Sequence, residues 1–380
     1  MYPRRTMRDG TSPATDETGA TWADRDLDAP LVDRATGAVR VGLYPGALRD
    51  PNVEDARFPH ALSRLAGSGP AGRLEAAYRR RLRLKTWQYV SIASPRWFVA
   101  FVVADAGFAG NGFFYAIDRQ NGAVQRRFVI SPLGRAASVS PTSASGQHRF
   151  RGRDLSIEID NLDGGRRFAV RIDGRFESGA RFGGAVELRS APADEHVSLC
   201  VPLPAGRWNY THKFGAFRVH GSLDLGDGAA AFDPATSFAT VDFTRMLALR
   251  HAVWRWVALC GPSRQGPLVG INLVDPTPDA PVSENGLWID GRFEPVGGVR
   301  LASVDRDDAQ APWILRADGG RVDLGFRALA HVDQTLNLPL LRHRLRHVGG
   351  WFRGRVVTRA GRVLDLDDVF GIAEDNDTWW

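Results

Sequence analysis

Residues 87–104 read Trp87-Gln88-Tyr89-Val90-Ser91-Ile92-Ala93, then Ser94-Pro95-Arg96, then Trp97-Phe98-Val99-Ala100-Phe101-Val102-Val103-Ala104. Both apolar runs are rich in β-branched and aromatic residues, which favour a pleated backbone. The Ser94-Pro95 step between them is typical of a turn. This stretch therefore predicts two antiparallel strands joined by a tight connection.

The same pattern continues along the chain. In the first half we predict further strands at 112–118, 124–130, 149–153, 155–161, 167–172 and 184–189. Gln120-Asn121-Gly122, Asp163-Gly164-Gly165 and Asp173-Gly174 are predicted as their turns. In the second half we predict strands at 218–225, 239–243, 253–259, 268–274, 286–289, 313–316, 322–329, 336–346 and 349–358. Successive hairpins of this kind indicate antiparallel meanders.

Composition supports a mostly β fold in two parts. The 380 residues include 41 Gly, 22 Pro, 11 Trp, 6 Tyr and 20 Phe, which favour many short strands and tight turns. A chain of this length exceeds what one hydrophobic core usually serves. We predict an all-β fold of two consecutive antiparallel β-barrels or sandwiches at 84–204 and 205–380, divided at the proline-containing stretch 201–206. Before them, we expect a disordered tail at 1–28 and a hairpin with a helical segment at 29–83.

One hexapeptide occurs twice: Ile172-Asp173-Gly174-Arg175-Phe176-Glu177 recurs as Ile289-Asp290-Gly291-Arg292-Phe293-Glu294. Duplication of an ancestral barrel would explain the repeat. A shared hairpin solution would explain it equally well, because Asp-Gly suits a type I′ turn.

Charge, cysteine and motif content argue against several function classes. The net charge is +6, but 49 basic residues are interleaved with 43 acidic ones, so we expect no nucleic-acid partner. No apolar run approaches the length of a membrane span, and the two cysteines, Cys200 and Cys260, are expected to be free in a reduced cytoplasmic protein. The nine histidines are scattered, and His343 and His347 have no acidic ligand beside them. We therefore predict no metal and no cofactor, and the oligomeric state stays open.

Only two of the 49 basic side chains are lysines, and each lies beside aromatic residues. Lys85 precedes Trp87, and Lys213 follows Tyr210 and His212. A lysine retained in an arginine-rich chain suggests a need for a compact ammonium whose pKa can shift. Chance survival is the alternative.

The segment around Lys213 is the main candidate for chemistry. If 209–213 is extended, Tyr210 and His212 share one face, whereas Thr211 and Lys213 share the other. Either pair could line a pocket as proton donor and acceptor. An edge strand with solvated polar groups is the alternative.

Two further motifs could form a pocket wall. Asp242 and Arg245 lie three residues apart, so Arg245 could hold a substrate oxygen while Asp242 orients it, or the pair could pin a turn. Trp254 and Trp256 point to one side of a strand and form an apolar surface, either core or cavity. Arg255 between them points the other way, and we expect Asp242 or Glu284 to pair with it.

Amides and a carboxylate precede or interrupt apolar strands farther on. Asn272 lies within an apolar run, and Glu284 and Asn285 stand immediately before another. A buried amide requires hydrogen-bond partners. These groups could converge with Lys213 at a barrel mouth, with Glu284 as a general base, or they could be turn caps.

The combination of motifs resembles the family catalogued as domain of unknown function 2804, over about 30–380. The matching residues are Lys85-Thr86-Trp87-Gln88-Tyr89, Ser94-Pro95, 104–114, Tyr210-Thr211-His212-Lys213, Asp242-Phe243-Thr244-Arg245, Trp254-Arg255-Trp256, Gly270-Ile271-Asn272-Leu273, 284–291 and 370–375. More distantly, the paired β-rich halves are similar to tandem lipocalin-like proteins, which include carotenoid hydratases and cofactor-free pericyclases. That resemblance implies lipocalin-like barrels and an apolar ligand. The chain lacks the Ser-Trp-Met-Asp run of those enzymes, so it implies architecture more than chemistry.

Two functions follow from these residues. The first is a cofactor-independent isomerase, hydratase or lyase acting on a hydrophobic small molecule in a β-barrel cavity. In this hypothesis Lys213, His212 and Glu284 are catalytic. The substrate-binding residues would be Tyr210, Asp242, Arg245, Trp254, Trp256, Asn272, Asn285, Lys85 and Trp87. The second is a carrier or sensor of a lipid-like ligand, and a structural scaffold without any ligand is a further alternative.

Overall fold

The structure is a computed structural model that describes residues 25–58, 62, 69–226, 228–277, 282–305, 308–338 and 341–380, without the side chain of residue 338. The tail predicted at 1–28 lies outside these residues except for 25–28. The helical segment predicted within 29–83 is described only in part. Its described portion forms one helix, α1 (Pro70–Tyr78), followed by a π-helical turn at Arg79–Arg83.

The first sheet contains fourteen strands of the described chain. They are β1 (Gly42–Tyr44), β2 (Leu84–Ala93), β3 (Trp97–Asp105), β4 (Ala109–Asp118), β5 (Val124–Pro132), β6 (Ala137–Ser138), β7 (Gly146–Gly152), β8 (Leu155–Leu162), β9 (Arg167–Arg175), β10 (Arg181–Arg189), β11 (Val197–Leu203), β12 (Arg207–Asp224), β13 (Ala229–Phe232) and β14 (Phe238–Leu247). The main strand order is β5-β4-β3-β2-β14-β12-β10-β9-β8-β7-β6, with β11 and β13 also paired to β12.

The second sheet contains nine strands of the described chain in the order β18-β17-β16-β15-β23-β22-β21-β20-β19. They are β15 (His251–Pro262), β16 (Leu268–Asp275), β17 (Gly286–Ile289), β18 (Arg292–Pro295), β19 (Val299–Ser303), β20 (Trp313–Ala317), β21 (Val322–Leu338), β22 (Leu341–Val357) and β23 (Val363–Trp379). All recorded pairings in both sheets are antiparallel.

The predicted all-β fold of two consecutive antiparallel barrel-like sheets is confirmed. The first sheet is a nearly closed barrel and the second is a half-barrel. Because β12, β13 and β14 pair within the first sheet, the chain passes from one sheet to the other at 248–250. The stretch 201–206 forms the β11–β12 hairpin, and the domain ranges that we divided there stay a prediction.

Four local expectations differ from the structure. Asp173-Gly174 lies inside β9, whereas Asp290-Gly291, in the second copy of the hexapeptide, forms a turn with positive φ at both residues. The run predicted at 336–346 belongs to two strands, β21 and β22. The N-terminal hairpin is reduced to one bridge, Val32 to Val39. β23 was not predicted, because its many acidic residues obscure the alternation of apolar side chains.

The two sheets pack against each other across a layer rich in aromatic residues. Side chains on one face of β2, β3 and β4, including Tyr89, Phe98 and Tyr115, pack against Trp256 and Phe370 of the second sheet. The opposite faces contribute to two further cores, one formed within the second sheet and one formed mainly by the first sheet together with Trp288 and Phe293 of the second. The layer between the sheets is therefore a third core, built from both parts of the chain.

The backbones of the two sheets approach each other closely at two glycines. A Cβ atom on Gly270 of β16 would lie 2.1 Å from the carbonyl oxygen of Gly215 on β12. No side chain fits there, so glycine at this position allows the sheets to touch. Trp288 of β17 packs beside this contact against Phe214.

Buried histidines lie on the face of the first sheet opposite to the one that packs against the second sheet. His148 accepts a hydrogen bond from the Ser140 amide and lies 2.6 Å from the Asn161 side chain. His212 contacts Ser143 through Nδ1 and His196 through Nε2. Burial lowers the pKa of His148 and that of His212 to about 3 in each case. Both side chains are therefore neutral in the folded protein at neutral pH.

These histidines predict acid-sensitive stability. An unfolded histidine gains its proton near pH 6.5, but the folded one cannot do so until about pH 3, so lowering the pH favours the unfolded chain. Each of the two should reduce the free energy of unfolding by about 2 kcal/mol between pH 7 and pH 5. Urea denaturation at both values should show that His148→Gln weakens this dependence. The exposed His220, changed to Gln, is the control, because it removes a histidine from the surface and not from the interior.

Candidate functional site

A buried ammonium group joins the two sheets. Lys213 of β12 lies 2.9 Å from Asp242 Oδ1 on β14 and 2.8 Å from Glu284 Oε2, just before β17. Asn272 of β16 donates to Glu284 Oε2 over 3.3 Å. We call Lys213, Asp242, Glu284 and Asn272 the Lys213 cluster. All four residues are at most 7% exposed, so charge and amide groups are paired inside the protein.

Asp242 is held by several donors besides Lys213. The hydroxyls of Thr211 and Thr244 lie 3.2 and 3.0 Å from its Oδ1, and the Trp87 indole donates to its Oδ2. Burial alone would lower the pKa of Lys213, but the carboxylates of Asp242 and Glu284 outweigh burial and raise it above its usual value. The cluster is thus a fixed ion pair with a permanently charged lysine.

The tryptophans predicted as an apolar wall lie in the layer between the sheets. Trp254 stacks on Trp87 with ring centroids 6.3 Å apart. Trp256 donates to Asn272, lies 5.4 Å from the Lys213 ammonium and meets the Tyr89 ring edge-on. These rings connect the Lys213 cluster to the residues farther along the layer.

Two residues assigned to the same site as Lys213 lie on the other face of β12, as the strand alternation predicts. His212 contacts Ser143 and His196, and Tyr210 contacts Ser198 and the Leu48 amide. The structure therefore separates His212 and Tyr210 from Lys213, as strand alternation requires.

The expected pairing of Asp242 with Arg245 is wrong for the same reason. Residues three apart in a strand lie on opposite faces. Arg245 instead binds Glu54 over 3.1 and 2.6 Å and also donates to Thr86. Arg255 does not pair with Asp242 or Glu284 either, since its carboxylate neighbour is Asp375 of β23 at 3.7 Å.

Asn285 and Lys85 serve local contacts. The Asn285 side chain accepts from the Val274 amide and donates to Thr277, which fixes the loop before β17. The Lys85 ammonium donates to the carbonyl oxygens of Leu82 and Ala106.

Lys85 is also enclosed by aromatic rings. Its ammonium lies 4.6 Å from the Phe108 ring centroid and 5.5 Å from that of Trp380. Burial lowers the pKa of Lys85 to about 7, although Asp105 raises it in part. The pKa values of the two lysines therefore shift in opposite directions. Paired carboxylates raise the pKa of Lys213, whereas Lys85 has no such pair and burial lowers its pKa.

A cleft opens between the sheets beyond Tyr89, and we call it the inter-sheet cleft. Its volume is about 280 Å³. Residues of β4, β5, β21 and β22 and one residue after β9 line it: Phe113, Phe114, Tyr115, Arg126, Arg127, Phe128, Glu177, Val332, Asp333, Gln334, Thr335, Leu345 and His347. Its position differs from the expected one, because it lies between two sheets and not inside a barrel. None of the residues predicted for the site lines it.

A chain of three titratable groups, which we call the proton relay, borders the inter-sheet cleft. The Tyr115 hydroxyl lies 3.1 Å from His347 Nδ1, and His347 Nε2 lies 2.6 Å from Glu374 Oε2. The other Glu374 oxygen accepts from the Trp254 indole. A carboxylate only accepts, so Nε2 carries the imidazole proton and Nδ1 accepts from Tyr115. Burial raises the pKa of Tyr115 well above its usual value, which keeps the phenol protonated.

Little in the amino-acid sequence indicates that these three residues meet. Tyr115 and His347 are 232 residues apart, and Glu374 lies on the strand that was not predicted. His347 was considered only as a metal ligand. Its alternation with Leu345 and Gly349 along β22 could have placed it on the buried face.

Two negative findings concern the described residues. There, no group of three or more His, Cys, Asp or Glu side chains is arranged to hold a metal ion. Within the same part of the chain, no helix is long and apolar enough to cross a membrane. Cys200 and Cys260 are free and buried, as predicted.

Residues 66–380 match a family model described as a domain of unknown function, DUF2804. Among curated proteins, none matches the sequence significantly.

Three solved structures are similar in fold to this chain. CghA bound to Sch210972 has a TM-score of 0.49 and 12% identity, covering 78% of this chain and 88% of CghA. A protein from Nitrosomonas europaea with the provisional name AttH has a TM-score of 0.48 and 14% identity, with coverages of 77% and 92%. Kievitone hydratase from Nectria haematococca has a TM-score of 0.40 and 10% identity, with coverages of 77% and 88%. The likeness concerns the fold alone.

The Lys213 cluster predicts a large loss of stability for Lys213→Met. Removing the ammonium leaves two buried carboxylates unpaired, which should lower the free energy of unfolding by about 3–5 kcal/mol. Lys85→Met is the matched control, because it removes an equally buried lysine without exposing a carboxylate pair, and its loss should be smaller. Guanidinium denaturation at pH 7 measures both. Equal losses would contradict an ion pair that joins the sheets.

Proposed function

The chain belongs to the family described as domain of unknown function DUF2804, and we propose that this member is an enzyme that moves a proton on a small apolar molecule bound in the inter-sheet cleft. The reaction class is isomerisation, hydration or elimination without a cofactor. The observation that carries the proposal is the proton relay of Tyr115, His347 and Glu374 at the wall of the inter-sheet cleft.

The lining of the inter-sheet cleft combines an apolar surface with charged and polar side chains, which suits a ligand with an apolar body and a polar group. Phe113, Phe128, Val332 and Leu345 supply hydrophobic surface near Tyr115. Ligand pockets typically combine such surface with a few placed polar groups and measure roughly 300–1,000 Å³. The volume of about 280 Å³ is near the lower end, so the ligand is compact.

The relay geometry supports acid–base chemistry of a definite kind. Tyr115 takes a proton from the ligand while its own hydroxyl proton passes to His347 Nδ1. The imidazolium that forms is stabilised by Glu374, which already accepts from Nε2. The arrangement is that of a hydroxyl, a base and an orienting carboxylate. Return of the proton to another carbon completes an isomerisation, and its delivery to a leaving group completes an elimination.

The residues predicted as catalytic from the sequence have a different part in this proposal. Lys213 and Glu284 fix the sheets on which Tyr115 and His347 lie, and Trp256 and Tyr89 transmit that position. His212 supports the opposite face of the first sheet. Their direct participation in chemistry stays a prediction.

A carrier of an apolar ligand is the second candidate function. The same inter-sheet cleft would hold the ligand, and Arg126 at its rim, which pairs with Glu177 and donates to the Asp333 carbonyl, would close over it. In that case the proton relay would only orient the molecule.

Native mass spectrometry of protein purified from its own host distinguishes these candidates. We expect Tyr115→Phe to retain the substrate, whereas the wild type carries product or nothing. A hydratase or a dehydrating lyase would show ligands that differ by the mass of one water, and an isomerase would show equal masses with different retention times. Tyr210→Phe is the control, because it removes a buried hydroxyl on the opposite face. Identical ligands in all three proteins would favour the carrier.

Filling the inter-sheet cleft should prevent binding without damaging the fold. Val332 lines it and is partly exposed, so Val332→Trp places an indole in the open volume. We expect the co-purified ligand to disappear while the melting temperature changes little. Exchange of the exposed Val363 for Trp is the control and should retain the ligand. Retention by Val332→Trp would show that binding takes place elsewhere.

A further inference from the structure

Arg207, the first residue of β12, carries a buried guanidinium group without a counter-ion. The residue is 9% exposed, and its Nη1 is enclosed without a hydrogen-bond acceptor. In the part of the chain that the structure describes, the side chain forms no ion pair, and its guanidinium carbon lies 3.9 Å from the centroid of the Phe58 ring. Burial of a charge without a partner destabilises a protein strongly, so an unpaired charge in a native structure calls for a reason.

A second guanidinium group lies at the same end of the first sheet. Arg83 ends the π-helical turn after α1, and its carbonyl oxygen accepts from the amide of Ala248, the residue that follows β14. Because β14 pairs with β12, this hydrogen bond brings Arg83 to the end of the sheet at which Arg207 begins β12. The Nη2 atom of Arg83 donates to the Tyr78 hydroxyl over 3.1 Å, but its Nε is buried without an acceptor. We call Arg83 and Arg207 the arginine pair.

The two charges of the arginine pair repel each other. Burial lowers the pKa of Arg207, and the positive charge of Arg83 lowers it further. Arginine nevertheless keeps its proton at neutral pH, so the charges persist in the folded protein. The end of the sheet therefore holds two like charges whose environment favours a negative partner.

The carboxylates of the preceding segments are already paired with other arginines. Glu54 binds Arg245 over 3.1 and 2.6 Å, and Glu75 lies 2.6 Å from Arg79 Nε. Among the described residues, no carboxylate forms an ion pair with either member of the arginine pair. The local excess of two positive charges matches the charge of one dianion.

We propose that the arginine pair binds a phosphate group, either inorganic phosphate or the phosphate of a small monoester. A guanidinium group presents its N–H donors in a planar fork that matches phosphate oxygens. The phosphate accepts from the two unpaired donors, Arg83 Nε and Arg207 Nη1, and the rings of Phe58 and Tyr78 border it. Arg83 is only partly buried, so the arginine pair is open to solvent from that side.

The site is separate from the inter-sheet cleft, since none of its four residues lines the cleft. It collects side chains from three segments: Phe58 precedes α1, Tyr78 and Arg83 end the helical segment, and Arg207 belongs to the first sheet. A bound phosphate thus fixes the helical segment to the sheet. This inference goes beyond the proposed function and does not depend on it.

Calorimetric titration of the full chain tests the site with inorganic phosphate and with phenyl phosphate. The titration is made at constant ionic strength and about pH 8, where phosphate carries close to two charges. We expect one phosphate per chain, and Arg207→Gln should weaken binding about tenfold or more. Tighter binding of phenyl phosphate would support a monoester as the ligand, whereas equal or weaker binding would support inorganic phosphate.

Arg218→Gln is the matched control for this titration. Arg218 also lies over a phenylalanine ring, that of Phe238, but it is exposed and donates to the Pro234 carbonyl. The variant removes the same charge from the protein as Arg207→Gln and should bind phosphate like the wild type.

The melting temperature provides a second measurement. Arg207→Met keeps an apolar stem beside Phe58 but removes the unpaired charge, so in phosphate-free buffer its melting temperature should equal or exceed that of the wild type. Addition of phosphate should raise the melting temperature of the wild type and of Arg218→Gln, but not that of Arg207→Met.

Three results would overturn the inference. The first is failure of the wild type to bind either probe, and the second is equal binding by the wild type and Arg207→Gln. The third is a clear drop in the melting temperature of Arg207→Met in phosphate-free buffer, which would show that the chain supplies its own counter-ion. None of these results affects the inter-sheet cleft, which Val332→Trp tests separately.

Discussion

Pairing of one buried ammonium group with carboxylates from both sheets constrains the whole molecule. Lys213 and Asp242 belong to the first sheet, whereas Glu284 lies immediately before β17 of the second. Separating the sheets would leave these charges without partners in a low-dielectric interior, so the sheets have one favoured relative position. The close contact of Gly215 with Gly270 beside the Lys213 cluster also restricts the relative position of the sheets, in this case by steric exclusion.

This fixed position matters because neither sheet contains the proton relay alone. Tyr115 comes from the first sheet, and His347 and Glu374 come from the second. Hydrogen-bond distances near 3 Å across such a boundary tolerate little sliding. Between the Lys213 cluster and His347, the Tyr89 ring contacts both Trp256 and His347, so the two places are connected by ring contacts. Rigidity at the Lys213 cluster thereby supports the geometry that the proposed proton transfer needs.

Strand alternation explains both the success and the limits of sequence reasoning here. Short runs of β-branched and aromatic residues such as 87–93 identify strands because half of their side chains must be buried. The same rule correctly separates Lys213 from His212. It does not reveal which distant strands become neighbours, so the Asp242–Arg245 pairing was assumed from proximity in sequence. The partners of His347 are set by tertiary packing, and no local pattern contains that information.

A strand with as many carboxylates as β23 also escapes detection, because cross-strand pairing with arginines offsets charges that look solvent-exposed.

The placement of β23 between β15 and β22 has a consequence for how the half-barrel assembles. His251 and Asp377 face each other although 126 residues separate them. β15 therefore cannot pair with β23 until the intervening strands have been synthesised and ordered. Closing so long a loop slows folding. Until then the β15–β16 hairpin presents an unpaired backbone edge that invites pairing with other molecules. From this topology we therefore expect slow refolding and aggregation through the open edge of β15, whatever the final stability of the protein.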